Sequence, residues 1–266
     1  MRQAQIAALQ QRLCRVADTE LLPRFERVEA EIKTDGSLVT EADLLMQERM
    51  KRELAALFPD YGLLGEEMDQ EQRQAQLERT DRGLWILDPL DGTSNFAAGI
   101  PYFAVSLALV VNREVRLAAV YDPCRREFFH ALPGHGAWLN GLPLGGRRPL
   151  TPLASGIGLV DYKRLPRALA LRLVESPPYG SQRSFGSVAL DFCWLAAGRV
   201  HVYLHGRHDL WDYAAGLRIL REAGGHSVTL EGERDPPLDL QSRSTVAALD
   251  EGLFHDWCAW LGIRLD

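Results

Sequence analysis

A chain of 266 residues with 46% hydrophobic and 25% charged side chains can bury a sizeable core, which excludes a disordered chain and fits one globular unit or two abutting ones. Its formal net charge of -6 argues against a nucleic-acid binder that works by neutralising phosphates. The N-terminus lacks the apolar core of a secretion signal, and no stretch approaches the roughly 20 apolar residues that span a bilayer.

Taken in order, Ile6, Leu9, Leu13, Val16 and Ala17 recur at three- and four-residue steps and predict a packing helix over 6–22, with Pro23 near its end. Asp35-Gly36 marks a turn. Thr40, with Asp43 three residues on, reads as the capped start of a second helix, closed by Pro59-Asp60-Tyr61-Gly62. Leu63-Leu64 is a short apolar piece ending in Gly65-Glu66-Glu67, and the polar stretch 68–82 predicts a surface helix or a loop.

The next segment, Trp85-Ile86-Leu87-Asp88-Pro89-Leu90-Asp91-Gly92-Thr93-Ser94-Asn95-Phe96, is an apolar, strand-like run that ends in a turn carrying two carboxylates. Apolar runs over 102–111, 115–121 and 127–132, the first two separated by Asn112-Arg113, predict an antiparallel meander. Asn140-Gly141 is a further turn. Gly145-Gly146-Arg147-Arg148-Pro149 predicts a boundary between two tightly abutting halves, 1–145 and 146–266. The second half alternates: a strand over 157–160, helices over 168–174 and 187–197, a strand over 200–204, and a helix over 211–223 with Asp209 as N-cap and Gly224-Gly225 after it. Apolar pieces at 228–230 and 245–249 and a closing helix through Phe254, Trp257 and Leu261 follow, so α/β layers are predicted.

Each acid has a plain structural reading when taken alone. Asp43 and Asp212 are helix-start acids favoured by the dipole, Asp88-Pro89 and Asp91-Gly92 are turn dipeptides, and Glu66 is a solvated glutamate. The combination says more. No Lys or Arg occurs between Gly83 and Asn112, so nothing in that segment offsets Asp88 and Asp91 except a bound cation or peptide dipoles. Mg²⁺ favours carboxylate, carbonyl and water oxygens, so Asp88, Asp91 and the Leu90 carbonyl, joined by Glu66 and Asp212, form a candidate ligand set. The Gly92 and Thr93 N–H groups, if they open a helix, would receive a phosphate, with glycine at 92 permitting close approach. Two oxygen-ligated ions can neutralise phosphoryl oxygens and activate water together, which suits removal of a phosphate from an alcohol.

The stretch from Trp85 to Phe96 resembles the first signature of the inositol monophosphatase family. The second signature is matched by Leu210-Trp211-Asp212-Tyr213-Ala214-Ala215-Gly216 with Glu222-Ala223-Gly224-Gly225, and the upstream segments by Val39-Thr40-Glu41-Ala42-Asp43 and Leu64-Gly65-Glu66-Glu67. The resemblance implies a Mg²⁺-dependent phosphomonoesterase using two or three ions, with a layered α/β/α/β/α sugar-phosphatase-type sandwich and usually a homodimer. It implies that Glu66, Asp88 and the Leu90 carbonyl hold one metal and Asp88, Asp91 and Asp212 a second. Glu66 and Thr93 would orient the attacking water, and Asp43 would bond the Thr93 hydroxyl.

Inositol-hydrolysing members carry a glutamate seven residues before the second-signature aspartate, where this chain has His205, expected in a loop at a strand end. Val188 stands where a small residue is often found, in a loop with Gly186 and Ser187 that resembles the family's other substrate-facing segment. Asp91, Gly92, Thr93, Gly186, Ser187, Val188 and His205 are therefore the expected substrate contacts. Inositol 1-phosphate leads among small polyol and sugar monophosphates, ahead of histidinol phosphate and nucleotide 3'-phosphates; Ser94-Asn95-Phe96 leans away from the Lys-Glu-Phe continuation of nucleotide phosphatases. A regulatory binding protein is the reading from another class, with Arg125-Arg126 and Arg147-Arg148 as its only paired basic sites. Cys14, Cys124, Cys193 and Cys258 are scattered without a CxxC pair, which fits neither a disulfide framework nor a zinc site and makes a reducing cytoplasm the expected setting.

Overall fold

The computed structural model describes residues 3–27, 30–33, 38–146 and 151–265; the Asp35-Gly36 turn and the Arg147-Arg148 pair lie outside them. Helix α1 (Gln3–Glu20) is followed by the hairpin β1 (Ala30–Ile32) and β2 (Leu38–Thr40), then α2 (Glu41–Leu57). Thr40 and Asp43 cap α2 reciprocally, the Asp43 carboxylate accepting the Thr40 N–H at 2.7 Å. Next come β3 (Gly62–Gly65), the surface helix α3 (Gln70–Leu77), β4 (Leu84–Asp91) and the short α4 (Thr93–Ala97).

The predicted meander is present as β5 (Ala104–Val111), β6 (Glu114–Asp122), β7 (Glu127–Ala131), β8 (Ala137–Leu139) and β9 (Leu142–Pro143). Asn112 and Arg113 both take positive φ, 53° and 60°, the conformation that matches a tight turn to strand twist. Strands β3 to β9 lie side by side in chain order in a seven-stranded sheet, antiparallel except for the parallel pair β3–β4.

The second half supplies β10 (Ile157–Asp161), α5 (Arg167–Glu175), β11 (Ser181–Arg183), α6 (Val188–Ala196), β12 (Val202–His208), α7 (Leu210–Glu222), β13 (His226–Val228), β14 (Arg243–Ala248) and α8 (Glu251–Leu261). Its five strands run in the order β11-β10-β12-β14-β13. Strand β12 extends four residues past the predicted end, so His205 lies within a strand and is buried, not in a loop. Pairing with β10 and β14 takes up its backbone groups, a tertiary effect that the polar His-Gly-Arg-His segment conceals.

Three apolar cores account for the five layers. Helices α1 and α2 cover one face of the seven-stranded sheet through Leu13, Met46, Trp85 and Leu107. Helices α6 and α7 fill the space between the sheets through Phe192, Ile219, Ile86 and Tyr203. Helices α5 and α8 cover the outer face of the second sheet through Leu173, Trp257 and Val246. The molecule is thus the expected α/β/α/β/α sandwich. Strand β4 is buried along all eight residues, Leu84 and Ile86 facing one core and Trp85 and Leu87 the other. Truncating a buried side chain the size of Trp85 costs about 3–5 kcal/mol, which anchors the start of the strand in the core.

Candidate active site

The acidic turn forms where β4 loses its register with β5, between Asp88 and Asp91. Asp88 accepts the Leu90 N–H at 2.9 Å, closing the turn on itself. Gly92 then takes φ 98° and starts α4; a Cβ there would lie 3.1 Å from the Tyr102 carbonyl oxygen and 3.2 Å from that of Gly186. The Thr93 hydroxyl lies 3.0 Å from both Asp43 Oδ1 and the Leu90 carbonyl, so Asp43 caps α2 and contacts this turn at once. Burial pushes the Asp43 carboxyl up to about 6 against the hydrogen bonds from Thr40.

Glu66 leaves β3 beside this turn, its N–H bonded to the Leu87 carbonyl at 3.1 Å. Lys33, on the β1–β2 hairpin, reaches the Glu66 carboxylate at 3.0 Å and that of Glu67 at 2.6 Å. The expectation of acids with no lysine at hand therefore holds along the chain segment but not in space. Arg73 of α3 donates to the Glu66 carbonyl at 2.5 Å and stacks 4.5 Å over the Trp211 ring, joining the upstream segment that carries Glu66 to the second signature.

Asp212 enters from α7, where its carboxylate accepts the Asp209 N–H at 2.8 Å. Burial raises the Asp88 carboxyl well above the usual range, and the charges of Glu66, Asp91 and Asp212 raise it further. Asp212 is likewise raised by burial, Asp91 and Glu66. Burial lifts Asp91 to about 6, although Ser187, Ala189 and Val188 donate to it. Folding thus assembles four mutually repelling carboxylates that the sequence scatters over about 150 residues. Hard oxygen donors and excess negative charge fit a Mg²⁺-type cation. Among the described residues no three acids, histidines or cysteines are drawn in to ligand spacing, Asp91 being turned onto the start of α6 and Glu66 onto Lys33.

Of the seven expected substrate contacts, Gly186, Ser187, Val188 and His205 line one narrow hollow together with Asp161 and Asp191, while Asp91, Gly92 and Thr93 lie outside its lining, on the acidic turn. Ser187 both caps α6 and donates to Asp91 at 2.6 Å, joining hollow to turn. Asn95 of the first signature donates to the Tyr102 and Phe185 carbonyls at 2.7 and 2.6 Å, bracing the Gly186 loop against α4. Sequence reasoning missed Lys33, Arg73 and Asp161, because none belongs to a motif and each reaches the site through strand pairing or packing. The four cysteines are free thiols. Among the described residues no helix is long and apolar enough to cross a membrane.

The model of the inositol monophosphatase family matches residues 2–259. An inositol-1-monophosphatase of Rhizobium meliloti is 36% identical over 217 residues, 79% of each chain. The Nus factor SuhB of Xylella fastidiosa is 35% identical over 211 residues, 78% of this chain and 74% of that protein. Among solved structures, an inositol monophosphatase of Thermotoga maritima superposes with a TM-score of 0.81 at 31% identity, covering 95% of this chain and 94% of the other.

Proposed function

Because this chain belongs to the inositol monophosphatase family and is a phosphomonoesterase, we propose that it hydrolyses the monophosphate of a small polyol or sugar, inositol 1-phosphate first, with Mg²⁺ as cofactor. The observation that carries this reading is the gathering of Glu66, Asp88, Asp91 and Asp212 around the positive-φ turn at Gly92. In the proposed arrangement Glu66, Asp88 and the Leu90 carbonyl would hold one ion, and Asp88, Asp91 and Asp212 would hold a second. Bound there, the ions would neutralise the phosphoryl oxygens and lower the pKa of a water. To hold a cation Glu66 would have to give up Lys33, whose ammonium keeps its closer partner, Glu67, at 2.6 Å beside the site.

The chain's own groups then position the reactants. The Gly92 and Thr93 N–H groups face the phosphate, unobstructed because residue 92 has no side chain. Glu66 and the Thr93 hydroxyl hold the water in line with the ester bond, and Asp43 accepts from Thr93 so that the hydroxyl oxygen keeps a lone pair for that water. The alcohol leaves toward the hollow at Gly186, Ser187, Val188 and His205. A panel of polyol, sugar, histidinol and nucleotide monophosphates, assayed with and without Mg²⁺, tests the reading; phosphate release from none of them sinks it.

A second reading, a regulatory binding protein, is supported by relatives named Nus factor SuhB. Of its basic pairs, Arg125 is already engaged, bonded to Asp122 at 2.9 Å and stacked near Tyr102 and Trp194. Pull-down from lysate with the parent and an Asp91→Asn variant separates the two roles: a partner retained by the inactive variant supports this second one. Assembly as a homodimer in a reducing cytoplasm completes the proposal, and sedimentation of the purified chain tests the dimer.

A further inference from the structure

The hollow beside the acidic turn is lined by two carboxyl groups that no signature includes: Asp191, buried, raised well above the usual range by that burial and bonded to the Tyr102 hydroxyl at 2.9 Å, and Asp161, which is partly exposed. Strands β10 and β12 run parallel, and Asp161 is the direct register partner of His205, so both side chains stand on the same face of the sheet. His205 Nε2 lies 3.1 Å from Asp161 Oδ2, while Nδ1 accepts the Arg207 N–H at 3.3 Å. A neutral imidazole with one nitrogen accepting carries its proton on the other, so Nε2 donates to Asp161. Both nitrogens of His205 are therefore used within the protein, and its ring serves the hollow as a wall.

Asp161 has capacity to spare. A carboxylate offers about four acceptor positions. One is taken by His205 and another by the Lys163 N–H, which donates to Oδ1 at 2.9 Å. Its side chain keeps 26% exposure. Burial, the largest single influence, would raise its carboxyl, but His205, the Lys163 N–H and the Arg164 guanidinium 3.9 Å away together outweigh that and hold it below the usual range, so it is an anion at neutral pH. The hollow is tied to the phosphate end twice, through the Ser187 hydroxyl on Asp91 and through the close approach of Gly186 to Gly92. An ester with its phosphate at Gly92–Thr93 places its alcohol in this hollow.

We propose that Asp161 is the residue that accepts hydrogen bonds from the hydroxyls of the substrate alcohol, with His205 as the positioning residue that fixes its carboxylate. The claim rests on the phosphatase reading above and narrows its substrate class to monophosphates whose alcohol carries at least one further hydroxyl close to the ester carbon. Apolar alcohols are disfavoured because they would desolvate an anion without replacing its hydrogen bonds. A second phosphate on the alcohol is disfavoured by like charge.

The test compares kcat/KM for inositol 1-phosphate, or whichever polyol monophosphate the parent hydrolyses best, with kcat/KM for p-nitrophenyl phosphate, whose leaving group has no hydroxyl. Taking the ratio removes any loss of folded protein from the comparison. In Asp161→Asn the polyol-to-aryl ratio is expected to fall roughly 10- to 100-fold, chiefly through the polyol KM, the size expected for a hydrogen bond to a charged group. His205→Gln is expected to lower the same ratio by a smaller factor. A purely structural role for Asp161 lowers both rates together and leaves the ratio at its parental value, which overturns the proposal. A parent that already prefers the aryl ester overturns it as well. A parent that hydrolyses no monophosphate at all refutes the phosphatase reading itself, an outcome distinct from either of these.

Discussion

Gly92→Ala probes the turn on which the site depends. The residue sits at φ 98° and ψ 34°, where a Cβ costs about 1–2 kcal/mol through its clash with the neighbouring carbonyl. That Cβ would also stand 3.1 Å from the Tyr102 oxygen, 3.2 Å from the Gly186 oxygen and 3.3 Å from Phe103 Cα, so two backbone segments must give by a few tenths of an ångström. Relaxing such an overpacked contact adds about 1 kcal/mol, for a total of about 2–3 kcal/mol. In a domain of this size each kcal/mol lowers Tm by about 2–4 °C, so calorimetry should show a drop of roughly 4–12 °C. Activity should suffer more than stability, because the displaced Gly186 loop carries the contacts made by Ser187 with Asp91, and a small misplacement of reacting groups is costly. At saturating ester and Mg²⁺, kcat is expected to fall by about tenfold or more. A variant with parental Tm and parental kcat would refute both the strain argument and the place of Gly92 in the site.

Asp91→Asn should lose nearly all phosphate release while the α6 cap persists, since one amide oxygen still accepts; substantial residual turnover, read by free-phosphate assay, would refute its assignment as a ligand. Asn95→Ala removes the two bonds that brace the Gly186 loop and is expected to raise KM several-fold with a smaller change in kcat, measured by initial rates. Asp191→Asn addresses pH. Burial, followed by the charges of Asp91 and Asp161, raises the Asp191 carboxyl well above its usual range despite the Tyr102 hydrogen bond at 2.9 Å. Its contribution is therefore complete below the unfolded carboxylate pKa and is lost as pH rises toward the folded value. Denaturant midpoints in EDTA from about pH 4 to 8 should move in favour of the asparagine variant with rising pH, by at most about 1.4 kcal/mol per unit, and parallel curves would contradict this.

Much of this protein is local and so readable along the chain. The 3.6-residue period of α1, the Thr40–Asp43 capping box, the Asn112-Arg113 turn and the Asp88-to-Thr93 string each depend on residues within a few positions of one another. Their spacing alone places the acids at a strand end and a helix start and carries the family resemblance. Other features come from contacts across the fold. Lys33 meets Glu66 only when the β1–β2 hairpin folds beside β3, and Asn95 braces the Gly186 loop only when α4 meets the start of α6. His205 reads as a loop residue until β10 and β14 pair with its strand. Asp161 has no motif to mark it, and only the parallel register of β10 with β12 places its carboxylate against His205 in the hollow. The acidic turn from Asp88 to Thr93 is written in short-range spacing, because caps and turns are set by adjacent residues, while Glu66, Asp43 and Asp212 reach it only through folding. The pairing of Asp161 with His205 in the adjoining hollow is set by strand register, which joins residues 44 positions apart and leaves no periodic trace in the chain.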